Sequence, residues 1–160
     1  MKRITGLAAC AAAFSLSGAA HAAGDYVSIV QETTLSVPAE TAWAKVKGYC
    51  DIGAWLKTTC EITGGKDGEL GAVRKIAGRI EEVIVAVTPL SYTYADVDTK
   101  ILYHGTVEIR PVDKQSSKLV YTLFFDQTTV PAETREANKT RRQQMFAGVM
   151  ATMKGMAEAK

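Results

Sequence analysis

The chain has 160 residues and almost balanced charge, 19 Lys and Arg against 17 Asp and Glu for a formal net charge of +2. That length gives one domain with a real core and is too short for two ordinary ones. Lys139, Arg141 and Arg142 form the main basic cluster; without interleaved aromatics they argue against nucleic-acid binding and for a solvated helix face.

Taken in order, the chain starts with Lys2 and Arg3, an alanine-rich apolar run from Ile4 to Ala20, and small residues at Ala20-His21-Ala22. This pattern predicts a secretory signal peptide over residues 1–22, cleaved after Ala22, and a mature domain over 23–160 that is periplasmic or secreted. Leu7-Ala8-Ala9-Cys10 superficially matches a lipoprotein box, but it would leave too short an apolar region before it. After Ala22 nothing approaches the about 20 apolar residues of a membrane span, so no stable membrane anchor is expected. Removing Lys2 and Arg3 also brings the basic residues level with the acidic ones.

Tyr26 to Leu35 is rich in β-branched residues and reads as the first strand. Pro38 then opens a helix to about Gly48, with Ala39, Ala42, Trp43 and Val46 as its apolar stripe. A second short helix is expected over Asp51 to Leu56, with Asp51 as its cap. Trp43 and Trp55 read first as packing residues, with a place for Trp55 at a ligand entrance as the sharper alternative. Cys50 and Cys60 are spaced for a disulfide in an oxidising compartment, worth about 2.5–3 kcal/mol by loop entropy; two separate buried thiols are the other reading. Their spacing matches no zinc pattern, and no metal or cofactor is expected.

From Cys60 onward, short strands separated by turn residues predict an antiparallel meander. They cover Cys60 to Thr63, Gly71 to Ile76, Arg79 to Val87, Ser91 to Val97, Ile101 to Arg110 and Lys118 to Asp126. With the first strand the count is seven. The glycines between Gly64 and Gly68 suit a hairpin and lack the Lys-Ser or Lys-Thr pair of a phosphate loop. In the sixth strand Tyr103, Gly105, Val107 and Ile109 share one face, while His104 falls on the polar one, a poor place for a catalytic base. Tyr92 and Tyr94 share a face whose direction the pattern leaves open. Val83, Val85 and Val87 are expected opposite Glu82, as a candidate association patch.

Pro131 to Lys160 reads as one long amphipathic helix, with Met145, Phe146, Val149, Met150, Met153 and Met156 recurring at steps of three and four. Followed backward, that stripe turns polar through Arg142, Asn138 and Arg135. Either this end overhangs the sheet in water, the preferred reading, or it sets Asn138 and Arg142 at a pocket mouth.

The order of elements, with Val37-Pro38-Ala39-Glu40-Thr41-Ala42-Trp43, Asp51-Ile52-Gly53-Ala54-Trp55-Leu56, Gly71-Ala72-Val73-Arg74 and Arg79-Ile80-Glu81-Glu82, resembles the SRPBCC superfamily of START-like and polyketide cyclase/dehydrase-like proteins. The resemblance implies an α+β helix-grip fold: a curved seven-stranded antiparallel sheet wrapped around a long C-terminal helix, with two short helices after the first strand. It also implies a hydrophobic cavity between sheet and helix, with Glu82 pointing into it alongside Ile80 and Ile84, and Arg74 within reach on the neighbouring strand. The expected function is noncatalytic binding of a small hydrophobic or amphipathic molecule, a lipid, isoprenoid or aromatic compound, with Arg74, Glu82, Tyr94, Trp55 and Arg142 as candidate ligand contacts. The rival is a cyclase/dehydrase-like enzyme with Glu82 as general acid or base. The expected association state is a monomer or weak homodimer.

Overall fold

The computed structural model describes residues 24–98 and 100–160; the expected signal peptide lies outside them. The described chain runs through β1 (Tyr26–Leu35), α1 (Ala39–Val46), a 3₁₀ turn (Tyr49–Asp51), α2 (Ile52–Leu56), β2 (Cys60–Gly64), β3 (Val73–Ile76), β4 (Ile80–Thr88), β5 (Ser91–Asp96), β6 (His104–Pro111), β7 (Ser117–Asp126) and α3 (Ala132–Glu158). The seven strands form one antiparallel sheet in the order β1-β7-β6-β5-β4-β3-β2. This is the helix-grip architecture.

Period-two patterning builds the sheet. In β1, Val27 and Ile29 turn inward opposite Phe125 and Leu123, while Tyr26 turns outward and stacks on Phe124 with ring centroids 5.3 Å apart. Pro38 and Pro131 stand just before α1 and α3, where a missing N–H costs nothing. Asp51 precedes α2 without making a side-chain cap. Lys57 then ends α2 in the left-handed region at φ 53°. Cys50 and Cys60 are bonded, tying the 3₁₀ turn to the start of β2 across a Cα separation of 5.4 Å.

At about 40 Å, α3 is longer than the face it covers. Phe146, Val149, Met150, Met153 and Ala157 are buried, whereas Met145 is 45% exposed and most of the first two turns face water. Polar tethers fasten the helix along β1: Gln31 donates to the Gln143 carbonyl at 2.6 Å, and the Glu158 carboxylate accepts from the Ser36 N–H at 2.8 Å. Arg135 donates to the Val130 carbonyl at 2.9 Å and pairs with Asp25.

Two local departures from simple alternation matter for the inner face. The β4–β5 ladder shifts between Ile84 and Ala86, so Val87 pairs with Tyr92. Directly paired residues share a face, and the bulge therefore brings Val87 onto the side of Glu82 and Ile84. This corrects the expected valine patch, because Val83 and Val87 point to opposite sides. Secondly, β6 begins at His104 rather than Ile101, because Leu102 takes φ 49° and breaks the strand. Ile101 and Tyr103 consequently belong to a connecting segment beside the helix.

Candidate functional site

Three consecutive register partners run across the inner face: Arg74 on β3 opposes Glu82 on β4, which opposes Asp96 on β5. Arg74 is 0% exposed and Glu82 4%. The guanidinium donates to Oε2 of Glu82 from Nε at 2.8 Å and from Nη2 at 2.5 Å, and a third bond goes from Nη1 to the Tyr49 carbonyl. Its central carbon lies 4.0 Å from the Tyr49 ring centre and 4.6 Å from that of Tyr94. A charge so deeply buried is tolerable because three hydrogen bonds and two aromatic faces replace its water.

Burial pushes the Glu82 carboxyl above the ordinary range; Arg74 opposes that rise and the Asp96 charge adds to it. Burial also works against the Arg74 charge, but Glu82 and the surrounding tyrosines outweigh it and hold the guanidinium protonated. Behind the pair, the Tyr94 and Tyr121 hydroxyls bond each other at 2.8 Å. Burial drives both phenols up, and they stay neutral.

This arginine and tyrosine cluster fills the middle of the grip and leaves space on either side. On one side a cavity of about 280 Å³ lies between the sheet, α2 and α3. Ile52, Leu56, Ile76, Ile80, Ile101 and Phe146 supply most of its wall, and Glu82, Tyr94, Asp96, Tyr103 and Arg142 its polar points. The apolar wall with few polar groups is the composition of a small-molecule site. On the other side, beneath the glycine-rich β2–β3 turn, a hollow of similar size carries Trp43, Lys47, Asp67, Glu69 and Ser91. Tyr92 lines that hollow and Tyr94 the cavity, so neighbouring inward residues of β5 face different spaces.

Of the residues singled out from sequence, Glu82, Tyr94 and Arg142 meet at the cavity. Arg74 stands behind Glu82 and reaches the space only through it. Trp55 is set apart: it is 4% exposed in the core with its indole N–H lacking a partner among the described residues, and its helix contributes Ile52 and Leu56 instead. Arg142 lies over the rings of Phe125 and Tyr103, at 4.7 and 5.4 Å, and lines the cavity while the helix before it is mostly exposed. Both alternatives for the start of α3 therefore hold in part; Asn138 is half-buried and bonds Arg141. His104 sits on the outer face against Phe124. Among the described residues no group of three or more His, Cys, Asp or Glu side chains could hold a metal ion, and no helix is long and apolar enough to cross a membrane.

Asp96 is the site residue that sequence reasoning passed over. Its signal was present: Tyr92, Tyr94 and Asp96 recur with period two, so an inward Tyr94 carries Asp96 inward with it. Glu82 thus has a second inward carboxylate beside it.

The family model described as "Polyketide cyclase / dehydrase and lipid transport" matches residues 26–155. No curated protein sequence matches the chain. Among solved structures, truncated norcoclaurine synthase from Thalictrum flavum is similar with a TM-score of 0.66 and 14% identity, over 88% of this chain and 98% of that one. The same enzyme in complex with dopamine and hydroxybenzaldehyde gives 0.64 and 15%, over 84% and 88%. A solution structure from Thermobifida fusca gives 0.65 and 22%, over 82% and 95%. At these identities the neighbours establish a shared fold.

Proposed function

The chain belongs to the polyketide cyclase / dehydrase and lipid transport family, within the SRPBCC superfamily, and from that membership we propose that it binds a small hydrophobic or amphipathic molecule between its sheet and α3. The observation that carries this reading is the cavity itself, with aliphatic and aromatic walls and polar groups at a few points. Its volume of about 280 Å³ is at the small end for ligand sites and favours a compact aromatic body over a long lipid chain. Ile80 and Phe146 provide apolar contact, and Glu82, Tyr94 and Arg142 orient the ligand. Arg74 acts from behind by holding Glu82 in place. The protein works outside the cytoplasm: the Cys50–Cys60 bond supports an oxidising compartment, in keeping with the leader expected from the sequence.

Native mass spectrometry of the protein purified from the periplasm, followed by solvent extraction, tests this. A stoichiometric organic passenger supports the reading, and protein recovered only in the cytoplasm and without a passenger opposes it.

The adjacent carboxylates favour a second reading, an acid/base enzyme of the cyclase/dehydrase kind. Burial makes Glu82 easier to protonate than an ordinary carboxylate, and it stands beside a second carboxyl at Asp96, a pairing suited to proton transfer. Retained binding with lost turnover in Glu82→Gln would identify catalysis.

A further inference from the structure

The polar groups of the cavity are opposite charges kept apart from one another. In the row Arg74, Glu82, Asp96, both bonds from Arg74 to Glu82 end on Oε2. Oε1, on a side chain almost wholly buried at the cavity wall, has no partner among the described residues. Asp96 uses one oxygen to accept the Asp98 N–H at 3.1 Å, and its other oxygen has no partner among the described residues. Arg74 bonds Glu82 and not Asp96, so Asp96 has no ion-pair partner among the described residues and gives the sheet side of the cavity a negative character. From α3, Arg142 lines the same cavity. It lies on the Phe125 and Tyr103 rings, its buried Nε has no hydrogen-bond partner among the described residues, and it forms no ion pair with either carboxylate.

A buried donor without a partner is costly, and carboxylate oxygens that open on a cavity can accept from a guest, so both sides of this space are set to receive complementary groups. A neutral apolar guest would leave both unsatisfied. An anion alone would meet Arg142 but face Glu82 and Asp96, and a cation alone would leave Arg142 unmatched beside it. We infer that the cavity is a receptor for a zwitterionic amphipath, with an ammonium-type cation seated between Glu82 and Asp96, a carboxylate or phosphate on Arg142, and a compact apolar body against Ile52, Ile80 and Phe146. An ammonium offers three donors for the two open carboxylate oxygens, and the guanidinium edge suits a two-oxygen anion. Asp96 and Arg142 then set specificity through their separation. The inference rests on the ligand-binding reading above.

The test is calorimetric titration of the intact protein at low salt with five single-ring probes: L-phenylalanine and 4-(aminomethyl)benzoate as zwitterions, phenethylamine, 3-phenylpropanoate and 2-phenylethanol. At least one zwitterion is expected to bind at least about tenfold more tightly than 2-phenylethanol. Asp96→Asn should weaken the zwitterion and the amine while sparing 3-phenylpropanoate, and Arg142→Gln should weaken the zwitterion and 3-phenylpropanoate while sparing the amine. Circular dichroism confirms that both variants are folded. If 2-phenylethanol or one singly charged probe binds as tightly as the zwitterions, the dipolar inference is overturned while the cavity stands as a ligand site. Binding of no probe at all overturns the inference and the ligand-binding reading together.

Discussion

Replacing Arg74 with methionine tests the physics of the inner face. The change keeps an unbranched side chain on β3 but deletes two bonds to Glu82, one to the Tyr49 carbonyl and the contacts with two tyrosine rings. It strands a carboxylate in a place only 4% exposed. Breaking such a buried pair from one side costs about 3–5 kcal/mol near neutral pH, which for a domain of this size is a loss of roughly 10–20 °C in Tm. The penalty depends on pH in a defined sense. Without Arg74, the folded-state pKa of Glu82 rises further above the unfolded value of about 4.3. Below about pH 4 the carboxyl is protonated in both states and the charge penalty disappears; it grows as pH rises through the gap and is complete above the folded pKa. Urea denaturation of wild type, Arg74→Met and the double variant Arg74→Met/Glu82→Leu at about pH 7 and about pH 4 reads all of this. Arg74→Met should lose at least half of its deficit at the lower pH, and the double variant should recover most of it at either. A deficit under about 1 kcal/mol at neutral pH, or one that does not change with pH, would refute the reasoning.

Three further outcomes follow from neighbouring contacts. Tyr121→Phe leaves the buried Tyr94 hydroxyl without its 2.8 Å partner and should cost about 1–3 kcal/mol, whereas replacing both tyrosines by phenylalanine should cost less than that single change, as measured by denaturant midpoints. Gly105→Ala places a methyl into the Tyr94 ring, which is 0% exposed and closed in by its neighbours, and should destabilise by about 1–3 kcal/mol through overpacking, seen as a lowered Tm. Replacing both Cys50 and Cys60 by serine should cost about 2.5–3 kcal/mol and speed amide exchange in the 3₁₀ turn and α2 ahead of β7; equal acceleration throughout the sheet would contradict a local clamp.

Much of this architecture was legible because simple periods carry it. Alternation gave seven strands, and three- and four-residue spacing gave the buried half of α3 from Phe146 to Ala157. The Arg74 and Glu82 pair followed from resemblance, and the register confirms that they are opposed. What escaped lies where backbone geometry overrides the period. Nothing in Ile84-Val85-Ala86 marks a bulge, since no Gly or Pro is present, yet one register shift moves Val87 to the inner face. Leu102 is a residue that rarely takes positive φ, so the late start of β6 carried no local signal either. Tyr92 and Tyr94 could be assigned a common face but not its direction, because an aromatic residue fits either side of a sheet until its neighbours are known. Asp96 was lost with them.

The central claim is that the space walled by α2, α3 and the β3–β5 strands is where a ligand sits. The most direct measurement is a titration with a single-ring probe such as indole, followed through the δ1-methyl resonances of the isoleucines. Ile52, Ile76, Ile80 and Ile101 line the cavity, whereas Ile29 and Ile109 pack elsewhere in the core. Saturable shifts concentrated on the first four are the predicted result. Shifts absent from those four, or confined to residues around the Trp43 and Tyr92 hollow, would contradict the account.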